Sequence, residues 1–203
     1  MKKENALLMK EAREALVGKW GLAVGTFFIY ILITGILNKI RNVGPVISLI
    51  IDGPLMLGLA MFSLSLSRKK DAKFEQLFEG FKRFGKSLVA YLLVIIFSIL
   101  WTLLLIVPGI IAAISYSQTF FILVDDENIS AGDAIKKSKK MMYGYKWKYF
   151  YLGCRFIGWL LLSILTLGIG LLWLIPYINV TLAKFYDDLK DSSVSPEVVP
   201  NVA

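Results

Sequence analysis

The sequence predicts an all-α integral membrane protein with six transmembrane helices, arranged as three repeated helical hairpins. Of its 203 residues 57% are hydrophobic and the mean hydropathy is +0.65, whereas globular domains are roughly 45 to 50% apolar. From Ser87 to Val124 there is no charged side chain, and this run is long enough for two crossings of about 20 helical residues each. A unit of a basic, aromatic lead-in, an apolar run, a tight turn and a second apolar run occurs three times.

Residues 1–19 are predicted to contain a cytoplasmic amphipathic helix. Over residues 5–17, apolar and charged side chains alternate with helical spacing and fall on opposite faces, which is typical of a helix lying in the membrane interface. The first span follows from about Trp20 to Leu37. Within it, Gly21 and Gly25 have the spacing that lets a second helix approach closely.

The second span is predicted from about Pro45 to Ser67, with the segment 52–54 (Asp-Gly-Pro) interrupting its apolar pattern. Because proline removes a helical hydrogen bond, we expect a kink or a late helix start there. The basic segment that follows contains phenylalanines at helical spacing, which predicts an amphipathic helix over about 72–84. Packing on neighbouring spans and lying on the membrane surface are both consistent with that pattern.

The other spans are predicted at about Ser87 to Leu105, Gly109 to Val124, Lys148 to Leu165, and Gly168 to Phe185. A Pro-Gly turn at 106–109 joins the third and fourth spans. After the acidic residues at 125–127, Ser130 followed by Asp133 resembles a capping box that opens another amphipathic helix. Residues 187–203 are polar and contain two prolines, which predicts a disordered cytoplasmic tail.

The repeat predicts the number of membrane crossings. A shift of 61 residues superposes Gly109 on Gly170 and Tyr116 on Tyr177, so the copies are placed at about 5–67, 72–127 and 131–189. This pattern favours two spans rather than one long helix in the last copy, and gives a membrane domain over 20–186. Twenty lysine and arginine residues lie in or beside the segments on one side, against two in the alternate loops, which predicts cytoplasmic N- and C-termini.

The sequence also carries a family likeness. The stretch MMYGYKWKYFYLGCRFIGWLLLSILTLGIGLLWLIPYINVTLAKFYDDL, together with AREALVGKWGLAV near the N-terminus, resembles the bacterial polytopic membrane family called domain of unknown function 975. The resemblance implies a multi-span plasma-membrane protein typical of Gram-positive bacteria. It implies no reaction and no catalytic residues.

Composition excludes several classes of function. The chain has no histidine, which excludes imidazole catalysis and histidine metal sites, and its single Cys154 excludes an intramolecular disulfide. The net charge of +8 lies beside apolar runs, where anionic lipid explains it better than nucleic acid. No phosphate-binding loop or nucleophile motif occurs, so we expect no enzymatic activity, no cofactor and no metal site.

Polar residues inside the spans are the candidate functional groups, because such groups are costly in hydrocarbon. The candidate cluster is Asp52, Ser115, Tyr116, Gln118, Thr119, Arg155, Tyr177, Asn179 and Thr181. Asp52 either caps a late helix at the outer surface or lies in the bilayer with Arg41, Lys39 or Arg155 as its partner. Arg155 either extends to the headgroups or forms that pair. The remaining groups either join helices or line a polar cavity on the repeat axis.

Anionic lipid of the inner leaflet is the expected partner of the basic helices. The candidate contacts are Lys82, Arg83, Lys136, Lys137, Lys139 and Lys140. We therefore expect a non-enzymatic protein that binds lipids, amphiphilic peptides or partner spans, in envelope homeostasis or protection from membrane-active peptides. The alternative is a transporter or channel subunit with a polar path near Gln118 and Asn179. The sequence does not indicate the oligomeric state.

Overall fold

A computed structural model describes residues 3–40 and 44–194, and the regular structure in these ranges is entirely helical. The helices are α1 Asn5–Leu16, α2 Trp20–Lys39, α3 Gly44–Ser67, α4 Gln76–Glu79, α5 Phe84–Leu104, α6 Ile106–Tyr116, α7 Thr119–Asp125, α8 Ala131–Met141, α9 Lys146–Leu165 and α10 Leu171–Val194, with a 3₁₀ turn at Gly80–Arg83 between α4 and α5.

Five helical segments in the described part of the chain are long and apolar enough to cross a membrane. They are Trp20–Lys39, Gly44–Ser67, Gln76–Leu104, Ile106–Asp125 and Lys146–Leu165. Helix α10 is not one of them, because charged residues begin at Lys184 and its uncharged part is only about 20 Å long at 1.5 Å per residue. The sixth span and the threefold repeat therefore remain predictions.

Helix α3 occupies the centre of the bundle. In its most apolar 18-residue window 61% is buried, against 17% in α2 and in α9. It contacts α2, α5, α7 and α10, and the edge of its Phe62 ring meets Phe27 of α2 at a centroid distance of 6.3 Å. The outer faces of α2, α5 and α9 carry many exposed leucine and isoleucine side chains. Such a continuous apolar surface suits contact with lipid rather than water.

Glycines bring the segment after α3 back against α3 itself. A Cβ on Gly58 would lie 2.0 Å from the carbonyl oxygen of Leu77, and a Cβ on Gly80 would lie 1.9 Å from that of Pro54. This backbone contact explains why the predicted amphipathic helix over 72–84 is instead the short α4 followed by a 3₁₀ turn. By contrast, a Cβ on Gly21 or Gly25 would have nothing within 4 Å among the described residues, so no described helix of this chain uses the close approach that their spacing permits.

The turns between the long helices differ from the prediction, the first being tighter and the second longer. Leu105 alone, in extended conformation, separates α5 from α6, and Pro108 lies in the first turn of α6, where its missing N–H is tolerated. At the next turn Leu167 and Gly168 have positive φ angles of 55° and 86°, and α10 begins only at Leu171.

Helix α3 starts at Gly44, so the late start that would make Asp52 an outer helix cap is wrong; Pro54 lies inside the helix. The predicted fourth span is interrupted at Ser117 and Gln118, between α6 and α7. Helix α10 continues to Val194, through the first part of the segment predicted as a disordered tail, because Tyr186 and Leu189 are buried in the bundle. The rest of that segment lies outside the described residues.

Candidate functional site

A charged network joins three parts of the chain at one end of the bundle, called here the charged end. Arg68, directly after α3, donates two hydrogen bonds to Asp125 at the end of α7, from Nη1 at 2.7 Å and Nη2 at 2.9 Å. The same guanidinium donates to Oδ1 of Asp187 on α10, from Nε at 3.0 Å and from Nη2 at 2.8 Å. One arginine thus connects the ends of α3 and α7 with Asp187 inside α10.

Further donors complete this network. The Tyr186 hydroxyl donates to Asp125 at 3.1 Å, the Lys190 ammonium lies 2.6 Å from the same carboxylate, and the Ser67 hydroxyl donates to Asp187 at 3.0 Å. The hydrogen bond with Asp125, and then the contacts with Asp187, raise the pKa of Arg68 above its usual value. The guanidinium therefore stays charged at every physiological pH, and these carboxylates act as its counter-ions.

The predicted polar cluster divides into separate groups, the first of which surrounds the break between α6 and α7. There the buried Ser138 of α8 accepts a hydrogen bond from the Gln118 backbone N–H at 3.2 Å and donates one to the Ser115 carbonyl at 2.7 Å. Gln118 and Thr119 are fully buried, and Tyr116 packs near Phe97 at 6.2 Å between centroids. Helix α8 therefore satisfies backbone groups that the interrupted helix leaves open.

Helix α10 carries the second group. Asn179 donates to the Ile175 carbonyl at 2.9 Å and Thr181 to the Tyr177 carbonyl at 2.8 Å, both within their own helix. The Tyr177 hydroxyl donates to the Met9 carbonyl of α1 at 3.1 Å. These bonds provide partners for polar groups inside the bundle, and none of them connects Asn179 with Gln118 in the part of the chain that the structure describes.

Asp52 and Arg155 do not meet. Asp52 is half-buried and accepts a hydrogen bond from the Tyr91 hydroxyl of α5 at 3.2 Å, while its Oδ1 is buried and has no partner among the described residues. Arg155 is exposed on α9. Arg41, another proposed partner of Asp52, lies outside the described residues.

Most of the predicted lipid contacts lie on exposed surface. On α8, the exposed residues Lys136, Lys137, Lys139 and Lys140 are opposite the buried Ala131, Ala134, Ile135, Ser138 and Met141. Lys82 is 76% exposed and lies 3.5 Å from Glu79. Arg83 differs, because its guanidinium pairs with Glu127 and donates to the Leu123 carbonyl at 3.0 Å.

Sequence reasoning missed an apolar cleft of about 420 Å³ between α1, the start of α2, α9 and α10. Its lining residues are Arg13, Trp20, Trp159, Leu162, Ser163, Thr166, Gly170, Trp173, Leu174 and Tyr177. Arg13 supplies the one charged side chain of this lining, and its Cζ lies 5.9 Å from the centre of the Tyr177 ring. The cleft joins residues far apart in sequence, and the basic Gly18-Lys19-Trp20 lead-in was the one sequence signal near it.

A second cavity, of about 530 Å³, lies between α6 and the start of α9. It is lined mainly by isoleucines of α6 and by Tyr143, Lys146, Trp147 and Phe150. Each cavity lies between the second helix of a predicted hairpin and a basic, aromatic lead-in. In the first cavity α10 faces Trp20, and in the second α6 faces Trp147. Two of the three lead-ins therefore line apolar cavities of the bundle.

A family model described as "Protein of unknown function (DUF975)" matches residues 1–115 and 102–193. The chain belongs to the DUF975 family. This match confirms the resemblance drawn from the sequence, and the family description assigns no reaction to its members. No curated protein and no solved structure matches this DUF975 chain.

Proposed function

We propose that this DUF975 chain is a multi-pass protein of the bacterial plasma membrane that acts without catalysis by binding amphiphiles, in envelope homeostasis or protection from membrane-active peptides. The observation that carries the proposal is the cleft at Arg13, which combines an apolar interior with one cation. Its proposed occupant is an anionic phospholipid, with an acyl chain between the tryptophans and the phosphate near Arg13.

Charge and shape support a lipid in this cleft. Arg13 is exposed and forms no ion pair among the described residues, so its guanidinium can donate to a phosphate. Trp20, Trp159 and Trp173 offer large apolar rings that bind acyl chains, and each indole N–H can bond a headgroup or ester oxygen. The volume is within the range of roughly 300 to 1,000 Å³ found for small-molecule sites.

The exposed lysines of α8 support contact with the same class of lipid at a second place. Four exposed ammonium groups follow one another on a helix whose opposite face is buried in the bundle. A cationic surface of this kind is attracted to an anionic leaflet by about 1 kcal/mol for each lysine near the surface. The proposed orientation therefore places the charged end and both termini in the cytoplasm.

We also propose α10 as the sixth crossing and three repeated hairpins as the architecture. At three turns a glycine lies against the residue seven positions earlier: Gly44 against Leu37, Gly109 against Thr102, and Gly170 against Ser163. Each second helix also contacts the following hairpin, with α3 on α5, α6 on α9, and α10 on α2. The last of these contacts closes a ring, which supports a pseudo-threefold arrangement about α3, α7 and α10.

A transporter or channel with a path near Gln118 and Asn179 is the weaker proposal. One observation favours it, namely that Oε1 of Gln118 is buried and has no partner among the described residues. The Asn179 amide, however, bonds within its own helix, and neither residue lines the cleft at Arg13 or the cavity at Trp147. Replacing both by leucine tests this alternative, because loss of substrate flux with intact folding would favour transport.

Quenching of tryptophan fluorescence by brominated lipid tests the proposed cleft. In a background of Trp101→Phe and Trp147→Phe, the emission comes from Trp20, Trp159 and Trp173, which all line the cleft. We expect brominated phosphatidylglycerol to quench this emission at lower mole fractions than brominated phosphatidylcholine. Arg13→Gln should remove most of that preference for the anionic lipid.

Lys10→Gln is the matched control, because Lys10 is exposed on the same helix and does not line the cleft. It should leave the preference unchanged. Equal quenching by the two lipids in the unaltered protein, or equal loss of preference in both variants, would contradict a headgroup site at Arg13. Protection of this emission by an added cationic amphiphilic peptide, to the same extent against brominated phosphatidylglycerol and brominated phosphatidylcholine, would instead assign the cleft to peptide.

A further inference from the structure

Asp52 is a carboxyl group inside an apolar helix, and no cation among the described residues pairs with it. It lies about 12 Å along α3 from Gly44, at 1.5 Å per residue, in a segment apolar enough to cross a membrane. Among the described residues it forms no ion pair, and its Oδ1 is buried without a hydrogen-bond partner. An ionised carboxylate in such surroundings is costly, whereas the neutral acid is tolerated.

The groups around Asp52 are phenols. Tyr91 of α5 donates its hydroxyl hydrogen to Oδ2 at 3.2 Å, and Tyr30 of α2 interacts electrostatically with the same carboxyl group. Helices α1, α4, α7 and α10 and the Gly80–Arg83 turn also pack on α3. In that turn Lys82 pairs with Glu79 and Arg83 with Glu127, and no charged group from the described residues of these elements pairs with Asp52. The nearest titratable partners are therefore neutral over the physiological range, since a free tyrosine ionises near pH 10.

From this geometry we propose that Asp52, Tyr91 and Tyr30 form an intramembrane proton-binding site between α2, α3 and α5. The site takes up one proton on the Asp52 carboxyl group and stores it away from water. This inference rests on the membrane embedding in the proposed function, but it does not depend on lipid binding in the cleft at Arg13.

The packing of α3 confines any response to one side of the helix. A Cβ on Gly53, the next residue, would lie 2.9 Å from the Ser87 carbonyl oxygen, so the start of α5 is in direct backbone contact with α3 at this level. The hydrogen bond from Tyr91 belongs to the same helix pair. Loss of the proton would place a negative charge at this contact, and the response is therefore expected between α3 and α5 and at the neighbouring α2.

A lipid-soluble carbodiimide tests the site in membrane vesicles that contain the whole protein. The protonated acid adds across one C=N bond of dicyclohexylcarbodiimide: the carboxyl oxygen bonds to the central carbon, its proton goes to nitrogen, and the adduct rearranges to a stable N-acylurea. Peptide mass mapping then locates the modified residue. We expect one adduct on Asp52 that persists well above pH 5, where an aspartate in water is ionised because its pKa is about 3.9.

Two variants test the assignment to Asp52 and Tyr91. Asp52→Asn should abolish the adduct, and Tyr91→Phe should extend labelling to higher pH, because the Tyr91 hydroxyl bonds to the carboxylate and favours its ionised form. Absence of the Asp52 adduct in the unaltered protein at pH 6 and above, or an unchanged pH profile in Tyr91→Phe, would overturn the proposal. Extraction with alkaline carbonate separates the two failures: a protein that stays in the membrane but is unlabelled refutes the proton site alone, whereas release into the supernatant refutes the embedding.

Discussion

Placing a methyl group at Gly58 should separate α3 from the α4 segment. In Gly58→Ala the new Cβ would lie 2.0 Å from the Leu77 carbonyl oxygen and 2.6 Å from the attached carbon. Contacts under 3.0 Å are essentially never made by a Cβ, so the two backbones must move apart by about 1 Å. The obstructing atoms belong to the main chain and cannot rotate away.

The cost can be worked from two opposing effects. Overpacking of this kind typically destabilises by about 1 to 3 kcal/mol, and a backbone obstacle favours the upper end. Alanine in place of glycine inside a helix returns about 1 kcal/mol of helix propensity. Gly25→Ala on α2 is the matched control, because it gains the same propensity and has nothing within 4 Å of its Cβ. The two variants should therefore differ by about 3 kcal/mol.

Thermal unfolding in detergent, followed by circular dichroism, measures that difference. For a chain of this size each kcal/mol corresponds to about 2 to 4 °C in Tm, so Gly58→Ala should unfold about 6 to 12 °C below Gly25→Ala. Equal melting temperatures would refute the close contact between α3 and the segment at Leu77, and with it the explanation for the short α4.

Three further perturbations test other parts of the architecture. Ser138→Ala should destabilise by about 1 to 3 kcal/mol, because it leaves the Gln118 N–H and Ser115 carbonyl without their partner, whereas Lys137→Gln on the same helix should have little effect on Tm. Arg68→Gln should lower the free energy of unfolding by about 1.5 to 3 kcal/mol, because it removes charged hydrogen bonds to Asp125 and Asp187. Adding Asp125→Asn to the same chain should recover part of the lost Tm. The Ser130 hydroxyl, followed by Lys136, lowers the pKa of Asp133. The resulting stabilisation of α8 is present above the unfolded pKa and is lost as the pH falls through the lower folded value. The protection factors of amides at the start of α8, which correct for the slower intrinsic exchange in acid, should therefore fall at low pH, except in Asp133→Asn.

Much of the fold follows from periodicity and charge. The limits of α1, α2, α3 and α9 lie within a few residues of the predicted ones, because long apolar runs bounded by charged or small residues leave few alternatives. The Ser130 cap of α8 is confirmed as well: its hydroxyl accepts a hydrogen bond from the Asp133 N–H at 3.1 Å.

Tertiary contacts decide the features that the sequence did not predict. Gly21 and Gly25 have the spacing of a helix contact, yet the close contacts occur at Gly58 and Gly80, because what a glycine meets depends on which helix faces it. Likewise, the break at Ser117 is possible because Ser138, from another helix, replaces the missing hydrogen bonds. Neither partner can be read from the local pattern.

The sequence identified polar residues of the spans, but it did not predict how they are arranged in space. Polar side chains in the spans were expected to meet in one cluster, but short side chains such as Thr119 and Thr181 bond to carbonyls of the preceding turn and need no distant partner. The cleft at Arg13 escaped prediction, because it is formed by four helices that adjoin only after folding.

The contact between Arg68 and Asp187 has a consequence for biosynthesis. The ribosome makes the arginine long before it makes the aspartate, so the guanidinium lacks its full set of counter-ions until α10 has been synthesised. In a product truncated before α10, Arg68 would lack its ion pair with Asp187, and the face of α3 that packs on α10 would be exposed. Such a fragment should be a substrate for membrane proteolysis, which would make completion of the last helix a checkpoint for the lifetime of the whole chain.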